Sequence, residues 1–589
     1  MAEKKKSAGF MKGIGVSPGI VIGRAFVIKK GVEADVQYCH LDSLDSLKEI
    51  ERFRDALERS REQLQRVRRK MEADGREKEH ISIIDAHLLI LKDKMLINDT
   101  IKTIKEERIN AEWALKRVLA NLMDYFNSID DEYLRARGYD LEQIVNRILF
   151  NLIGRHEDSI TAMKEPAVVV AHDLSPADTA QMSKDLVLGF ATDLGGKTSH
   201  TAIMARGLEI PAIVGLETAT LKVETGDTVI IDGAKGTLVI NPPESVIELY
   251  RKQRERYADY DRTLLHYRDL PCETLDGRRV ALRGNMELIE DLVSLKEHGA
   301  EGIGLYRTEF LYLNRQDLPT EDEHYEAYSE VARKVYPNPV TIRTLDIGGD
   351  KDLPGVEPAE ENNPALGLRA IRFCLKYRNI FKSQLKAMLR SSVHGKVKIM
   401  FPMISGVGEL RMAKAVLDEA RAELEREGKP FDTGVEVGIM IEVPSAALIA
   451  DLLVKEVDFI SIGTNDLLQY SLAIDRANEH VAYLYEPYHP SVLRIIKGVA
   501  EAGKNAGVNV GVCGEMAGEP EYALILLGFG IQTLSMNAIS ILKVKRLMRS
   551  VSYEWAKEIC DEIIRFPTAL EVEKYINARL PEFYKDEFA

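Results

Sequence analysis

From about residue 271 onward the chain repeats one pattern eight times: a short apolar run followed by a longer amphipathic stretch. The runs are Val280–Asn285, Gly302–Arg307, Val340–Asp346, Val397–Met403, Val437–Glu442, Phe459–Gly463, Val508–Cys513 and Ile531–Met536. Most are almost continuously apolar, as a parallel strand covered on both faces must be. Eight such units over about 320 residues predict a TIM (β/α)8 barrel. An open doubly wound sheet is the alternative, but it usually carries a Gly-rich phosphate loop after its first strand, and none follows Val280–Asn285.

The N-terminal part obeys other rules. No proline occurs between Pro18 and Pro166. Inside that window Leu44, Leu47, Ile50, Phe53, Leu57, Leu64, Val67 and Met71 recur at helical spacing among dense Arg and Glu, and similar patterns run through His80–Lys94, Ala111–Ile129 and Leu141–Ile153. Such periodicity predicts helices whose charges face water. The flanks instead read as short strands: the Gly-punctuated Gly13–Ile28, then Ala167–Ala171, Leu186–Thr192, Ala212–Gly215 and Thr228–Gly233. Turn residues separate them, with Pro242–Pro243 closing the series. The reading is a multidomain α/β chain. Residues 1–35 and 155–243 form a small α/β domain, 36–154 an inserted helical bundle, 244–270 a charged linker helix, and 271–589 the barrel.

A chain of 589 residues is expected to hold three or four domains. Its formal net charge of -14 argues against nucleic acid or an anionic membrane as the main partner. The five cysteines (Cys39, Cys272, Cys374, Cys513 and Cys560) are scattered and never form a CxxC pair, the pattern of reduced thiols in a cytoplasmic protein. The basic N-terminus has no apolar stretch behind it and so is not expected to be a signal peptide, and no run of about 18 apolar residues predicts a membrane span.

Two regions carry chemistry. In Asp193–Gly215 a strand leads through Gly195–Gly196 to Thr198 or Ser199, either of which can cap a helix containing Ala202–Arg206. His200 is thereby expected near a helix N-terminus, where free N–H groups and the dipole favour an anion. That setting suits a histidine that attacks as neutral imidazole and then carries a dianionic phosphoryl group. An isolated histidine near a helix start more often simply packs or caps.

The second region is the rim of the barrel, because catalytic groups of a TIM barrel gather at the C-terminal strand ends. Those ends supply Asn285, Arg307, Arg343, Glu442, then Asn465 and Asp466, and Cys513, with Arg476 further along the same segment. Any one of them alone reads equally well as a strand-end salt bridge. Seven at matching positions predict a shared ligand, since buried polar groups need partners. The guanidiniums suit phosphate and carboxylate, and the pair Glu442 and Asp466 suits a hard cation such as magnesium.

The strings around these positions are specific. Asp193–Gly215 resembles the phosphohistidine segment shared by enzyme I of the bacterial sugar phosphotransferase system, phosphoenolpyruvate synthase and pyruvate phosphate dikinase. GIGLYRTEF (Gly302–Phe310), TLDIGGDKDLP (Thr344–Pro354), ENNPALGLRAIR (Glu361–Arg372), FPMIS (Phe401–Ser405), GIMIEVPSAA (Gly438–Ala447), GTNDLLQYSLAIDR (Gly463–Arg476) and VCGEMAG (Val512–Gly518) resemble the phosphoenolpyruvate-binding barrel of the enzyme I family. Together with the inserted bundle, the resemblance covers all but about eight N-terminal residues.

What the resemblance implies is detailed. Arg307 and Arg343 grip the phosphate, Arg476 with Asn465 takes the carboxylate, Arg369 and Lys351 assist, and Glu442 and Asp466 hold magnesium. Cys513 donates a proton to the enolate; apart from the resemblance, the nearby Glu515 is expected to help keep that thiol protonated. His200 is phosphorylated on Nε2, and the α/β domain then swings about the linker so that the helical bundle can dock the histidine-containing phosphocarrier protein HPr. The family also implies a homodimer formed through the barrel. Lys197, Ala202 and Ala365 replace residues common in relatives, and none of them carries a reacting group. Two other readings compete. A synthase or dikinase would place a nucleotide-binding domain ahead of the histidine, where helices without nucleotide-loop patterning stand. A silent regulatory phosphoprotein would have no need of the full reactive set.

Overall fold

In the computed structural model, residues 9–28, 38–41, 45–73, 87–128, 132–153, 163, 165–174, 186–196, 205, 210–312, 317–348, 353, 356, 363–475 and 481–580 are described. They fall into two units, Met1–Tyr260 and Asp261–Ala589.

The first unit is organised on an eight-stranded sheet. Its strands are β1 (Gly9–Lys12), β2 (Ile14–Ser17), β3 (Ile20–Ile28), β4 (Ala167–Ala171), β5 (Val187–Thr192), β6 (Ala212–Val214), β7 (Thr228–Asp232) and β8 (Thr237–Ile240), in the order β1-β8-β7-β3-β4-β5-β6-β2. The run β3, β4, β5, β6 is parallel; β7, β8, β1 and β2 join antiparallel. Every residue of β4 is buried, which explains why AVVVA tolerates no polar position.

Between β3 and β4 the chain leaves the sheet and builds α1 (Asp45–Ala73), α2 (Lys94–Glu107), α3 (Ala111–Ser128) and α4 (Glu132–Ile153). These bury Ile50, Phe53, Leu64, Ile104, Leu115, Val145 and Ile148 in one core. Asp93 starts α2 by accepting the Met95 and Leu96 N–H groups at 2.7 and 3.1 Å. The buried face of α1 is not purely apolar. Leu47 is 69% exposed, whereas Glu49 is buried. Glu49 takes the Ala111 N–H at 2.9 Å and pairs with Arg52 at 2.6 Å, and Arg52 also reaches Glu112 and the Leu152 carbonyl. This satisfied polar cluster ties α1 to α3 and α4 beside the apolar positions Ile50, Phe53 and Leu64.

The expected linker is helical: α5 (Glu244–Leu265). The division between the units falls inside it. Its first turns place Val246, Ile247 and Tyr250 against Ile20, Ile230 and Val239 of the sheet. Beyond its end, Lys545 donates to the Arg268 carbonyl at 2.9 Å and Arg549 to that of Pro271 at 2.5 Å.

The second unit is a closed parallel barrel. It comprises β9 (Ala281–Met286), β10 (Ile303–Tyr306), β11 (Pro339–Arg343), β12 (Lys396–Phe401), β13 (Glu436–Ile441), β14 (Phe459–Ile462), β15 (Asn509–Val512) and β16 (Thr533–Met536), with β16 pairing back to β9. All eight predicted runs become strands, and the TIM barrel expected from them is the fold observed. Register aligns their C-terminal ends: Arg343 lies opposite Met400, Ile441 opposite Ile462, and Ile462 opposite Val512. Glu442, Gly463 and Cys513, one residue further on in each case, therefore share one level at the rim. Outside the strands, α6 (Arg378–Ser391) and α7 (Val407–Glu427) are laced by Arg378–Glu419 at 2.6 Å, Lys382–Glu423 at 2.8 Å and Lys386–Glu427 at 2.6 Å, a four-residue repeat on both helices.

Candidate active site

The barrel rim collects opposite charges in one place. Arg343 closes β11 with its side chain 10% exposed, Nη1 2.8 Å from Asp346 and Nη2 3.0 Å from Glu309. Burial alone would favour discharging this guanidinium, but Glu309, Asp346, Glu442 and Asp466 outweigh it and hold its pKa well above the ordinary arginine range. Arg369 enters from the loop before the Ala370–Lys376 helix. Its Nη2 lies 2.9 Å from Asp346 and 3.3 Å from Asp466, and its Nη1 donates to the Tyr470 hydroxyl at 3.0 Å. Arg307 follows β10, half-exposed, and pairs with Glu287. Three guanidiniums are thus held by carboxylates rather than left to solvent.

Glu442 is 2% exposed, one residue past β13. Its carboxylate accepts the Met403 N–H at 2.6 Å. Burial, then Asp466 and Asp346, push its carboxyl up to about 8. Asp466 lies in the first turn of α8 (Thr464–Leu472). One oxygen each from Asp346, Glu442 and Asp466 come within 4.8 Å of one another. Arg343 and Arg369 already offset the charge of Asp346 and Asp466, and the all-oxygen donor set of the three carboxylates fits a hard divalent ion. Close packing leaves no latitude here: a Cβ on Gly463 would come 2.7 Å from Glu442 Oε2.

Cys513 follows β15 and is 3% exposed. It packs with Leu305, Met400, Met440 and Phe459 inside the barrel. Burial pushes its thiol up to about 11, opposed by a hydrogen bond with Ser461 and helped by Glu442. Glu515, expected to serve that purpose, is engaged elsewhere: its N–H donates to Asn465 Oδ1 at 3.0 Å, and its carboxylate accepts from Asn465 Nδ2 at 3.3 Å. Asn285 donates to the Cys513 carbonyl at 3.0 Å.

Of the residues named from sequence, Arg307, Arg343, Arg369, Glu442, Asn465, Asp466 and Cys513 are all at this rim. Lys351 and Arg476 lie outside the described residues. So do His200 and the helix start expected at Thr198 or Ser199; before them, β5 ends at Thr192 and Gly195 adopts φ +113°, as the Gly-Gly turn requires. Asp193, which opens that segment, is buried and lies 3.2 Å from His172 Nδ1. Sequence reading missed Asp346 and Glu309, the two acids that hold Arg343. Asp346 was accessible to it, being an acid at the end of the predicted run Val340–Asp346. Glu309 had no such signal.

Comparison with known proteins places the chain in a family. Residues 12–137 match the N-terminal family of PEP-utilising enzymes, 163–236 their mobile domain, and 262–553 their PEP-binding domain. A phosphoenolpyruvate-protein phosphotransferase of Staphylococcus carnosus is 45% identical over 95% of this chain and 97% of its own. One from Priestia megaterium is 43% identical over 96% and 98%. A solution structure of Enzyme I (nEIt) is 42% identical over 42% of this chain and 99% of its own, with a TM-score of 0.37. By identity over nearly its whole length, the chain belongs to the phosphoenolpyruvate-protein phosphotransferase family and is a phosphoenolpyruvate-dependent phosphotransferase.

Proposed function

We propose that phosphoenolpyruvate binds at the barrel rim, that its phosphoryl group passes to His200, and that phospho-His200 then donates it to a histidine of the phosphocarrier protein HPr. The observation that carries this reading is the convergence of Arg307, Arg343 and Arg369 with Asp346, Glu442, Asp466 and Cys513 at the ends of the barrel strands. Arg343 Nε is buried without a partner among the described residues, a spare N–H for an anionic ligand.

In this reading Arg307 and Arg343 grip the phosphate, with Arg369 and Lys351 beside them, while Asn465 and Arg476 orient the carboxylate. Glu442 and Asp466 would hold magnesium, which when bound offsets charge on the phosphate oxygens. His200 attacks phosphorus in line through Nε2, and the P–O bond to the enol oxygen breaks. The enolate then takes a proton at its methylene carbon from the Cys513 thiol, whose raised pKa keeps it protonated at neutral pH. The small α/β domain, assigned to 1–35 and 155–243, carries His200 between the barrel (271–589) and the helical bundle (36–154) by movement about the 244–270 linker. A homodimer formed through the barrel and a cytoplasmic location complete the proposal; no helix among the described residues is long and apolar enough to cross a membrane. The test is incubation with labelled phosphoenolpyruvate and magnesium, without nucleotide, followed by addition of HPr. Label appearing first on the chain and then on HPr supports the proposal, and a requirement for nucleotide overturns it.

A further inference from the structure

Asn285 was singled out at its strand end, yet the reaction as described gives it no part. It lies on β9 directly before Met286, whose carbonyl accepts the Arg307 N–H at 3.0 Å, and its amide reaches across β16 to the end of β15. β15 and β16 pair only at Gly511↔Thr533 and Val512↔Leu534, so the carbonyl of Cys513, one residue further on, has no ladder partner. Asn285 Nδ2 supplies one at 3.0 Å.

The amide itself is oriented. The Ser535 hydroxyl, buried to 2% exposure, lies 2.6 Å from Asn285 Oδ1 and 3.0 Å from the Gly284 carbonyl. A flipped amide would set Asn285 Oδ1 against the Cys513 carbonyl, two acceptors face to face, so the observed orientation is the one that satisfies both ends. On its other side Cys513 donates its N–H to the Ile462 carbonyl at 3.1 Å. The next residue is confined as well: a Cβ on Gly514 would meet Thr464 Oγ1 at 1.8 Å.

From this geometry we infer that Asn285 is a positioning residue for Cys513, fixing the peptide that aims its thiol at the substrate carbon. The inference rests on the reading of Cys513 as proton donor. In the step concerned, the S–H proton moves to the methylene carbon of the enolate. The C–C π electrons form the new C–H bond, the C–O⁻ electrons form the ketone, and the thiolate left behind recovers a proton from water. Without the Asn285 bond the Cys513–Gly514 peptide loses its restraint on the carbonyl side, and small misplacement of a reacting group can cost about 10²-fold.

The test compares Asn285→Leu, Ser535→Ala, Cys513→Ala and the Asn285→Leu/Cys513→Ala double variant, each as the full chain with phosphoenolpyruvate and magnesium. Two rates are read: phosphorylation of His200 in a single turnover, and incorporation of solvent deuterium into the pyruvate methyl group. Asn285→Leu is expected to lower deuterium incorporation about 10- to 100-fold and phosphorylation much less. Ser535→Ala should fall in the same direction by a smaller factor, and Asn285→Leu should cost nothing further once Cys513 is alanine. Wild-type incorporation in Asn285→Leu overturns the inference, as does an equal further fall in the double variant. Wild-type incorporation in Cys513→Ala overturns the reading of Cys513 itself, and the inference with it. If Asn285→Leu does not fold, Asn285→Asp, which turns a second acceptor toward the carbonyl, is read in its place by the same criteria.

Discussion

Replacing Arg343 by Met removes a guanidinium that stands between two acids, Glu309 at 3.0 Å and Asp346 at 2.8 Å, with side chains 18% and 3% exposed. Asp346 keeps Arg369 as a partner at 2.9 Å, but Glu309 retains, among the described residues, the Asp346 N–H alone at 2.9 Å. Removing one member of a buried ion pair typically costs about 3–5 kcal/mol, mostly because a charge is left uncompensated. The barrel should therefore lose about that much stability. The chain has two tryptophans, Trp113 in the first unit and Trp555 in the second, so a Trp113→Phe background makes Trp555 fluorescence a reporter of the barrel alone. Urea unfolding should show a lower midpoint at unchanged slope. Adding Glu309→Gln should recover at least half the loss by removing the stranded charge. Phosphoenolpyruvate binding should stay weakened by about 10²-fold or more in both variants, because charge-assisted hydrogen bonds to phosphate contribute about 1.5–3 kcal/mol each. A stability loss under about 1 kcal/mol, or rescue of binding along with stability, would refute this reasoning.

Replacing Glu442 or Asp466 by Ala should cut phosphorylation by phosphoenolpyruvate by about 10²-fold or more, and should weaken manganese binding measured directly; phosphoryl exchange between HPr and His200 should persist, and equal loss of both reactions would mark the residues as structural. Alkylation of Cys513 requires the thiolate, and burial has raised that thiol, so its rate should keep climbing with pH until about pH 11, while Cys39, which is exposed, serves as the internal reference. A plateau near neutral pH would contradict the proton-donor reading. Lys386→Met removes a rung shared by Glu427 at 2.6 Å and Glu321 at 3.1 Å, so the urea midpoint should fall, and the difference should shrink in about 1 M salt, where the screening length is about 3 Å.

The barrel was legible because a strand covered on both faces has to be continuously apolar, and the eight runs differ from the observed strands by only a few residues at each end. The rim followed from the fold: once strand ends were placed, Arg343, Glu442, Asp466 and Cys513 had to converge. Two strands of the first unit were not foreseen, Gly9–Lys12 and Thr237–Ile240. Each is four residues long, too short for alternation to stand out, and β1 lies at the sheet's edge beside β8. In α1 the apolar pattern finds the buried face at Ile50, Phe53 and Leu64, but it places Leu47 there, which is exposed, and misses Glu49, whose burial is offset by hydrogen bonds to Arg52 and the Ala111 N–H. The acids that hold the arginines were harder. Glu309, which opens a short 3-10 helix after β10, and Glu287, just past β9, reach Arg343 and Arg307 through chain reversal, which no local periodicity encodes.

The destination of the phosphoryl group is the most direct observable. The full chain, incubated with labelled phosphoenolpyruvate and magnesium and then digested, should carry acid-labile, base-stable label on the peptide containing His200, and the label should leave on addition of HPr. His200→Ala should remain unlabelled while still binding phosphoenolpyruvate at the barrel rim. Label retained by His200→Ala, or found on a peptide without His200, would contradict His200 as the phosphoryl acceptor.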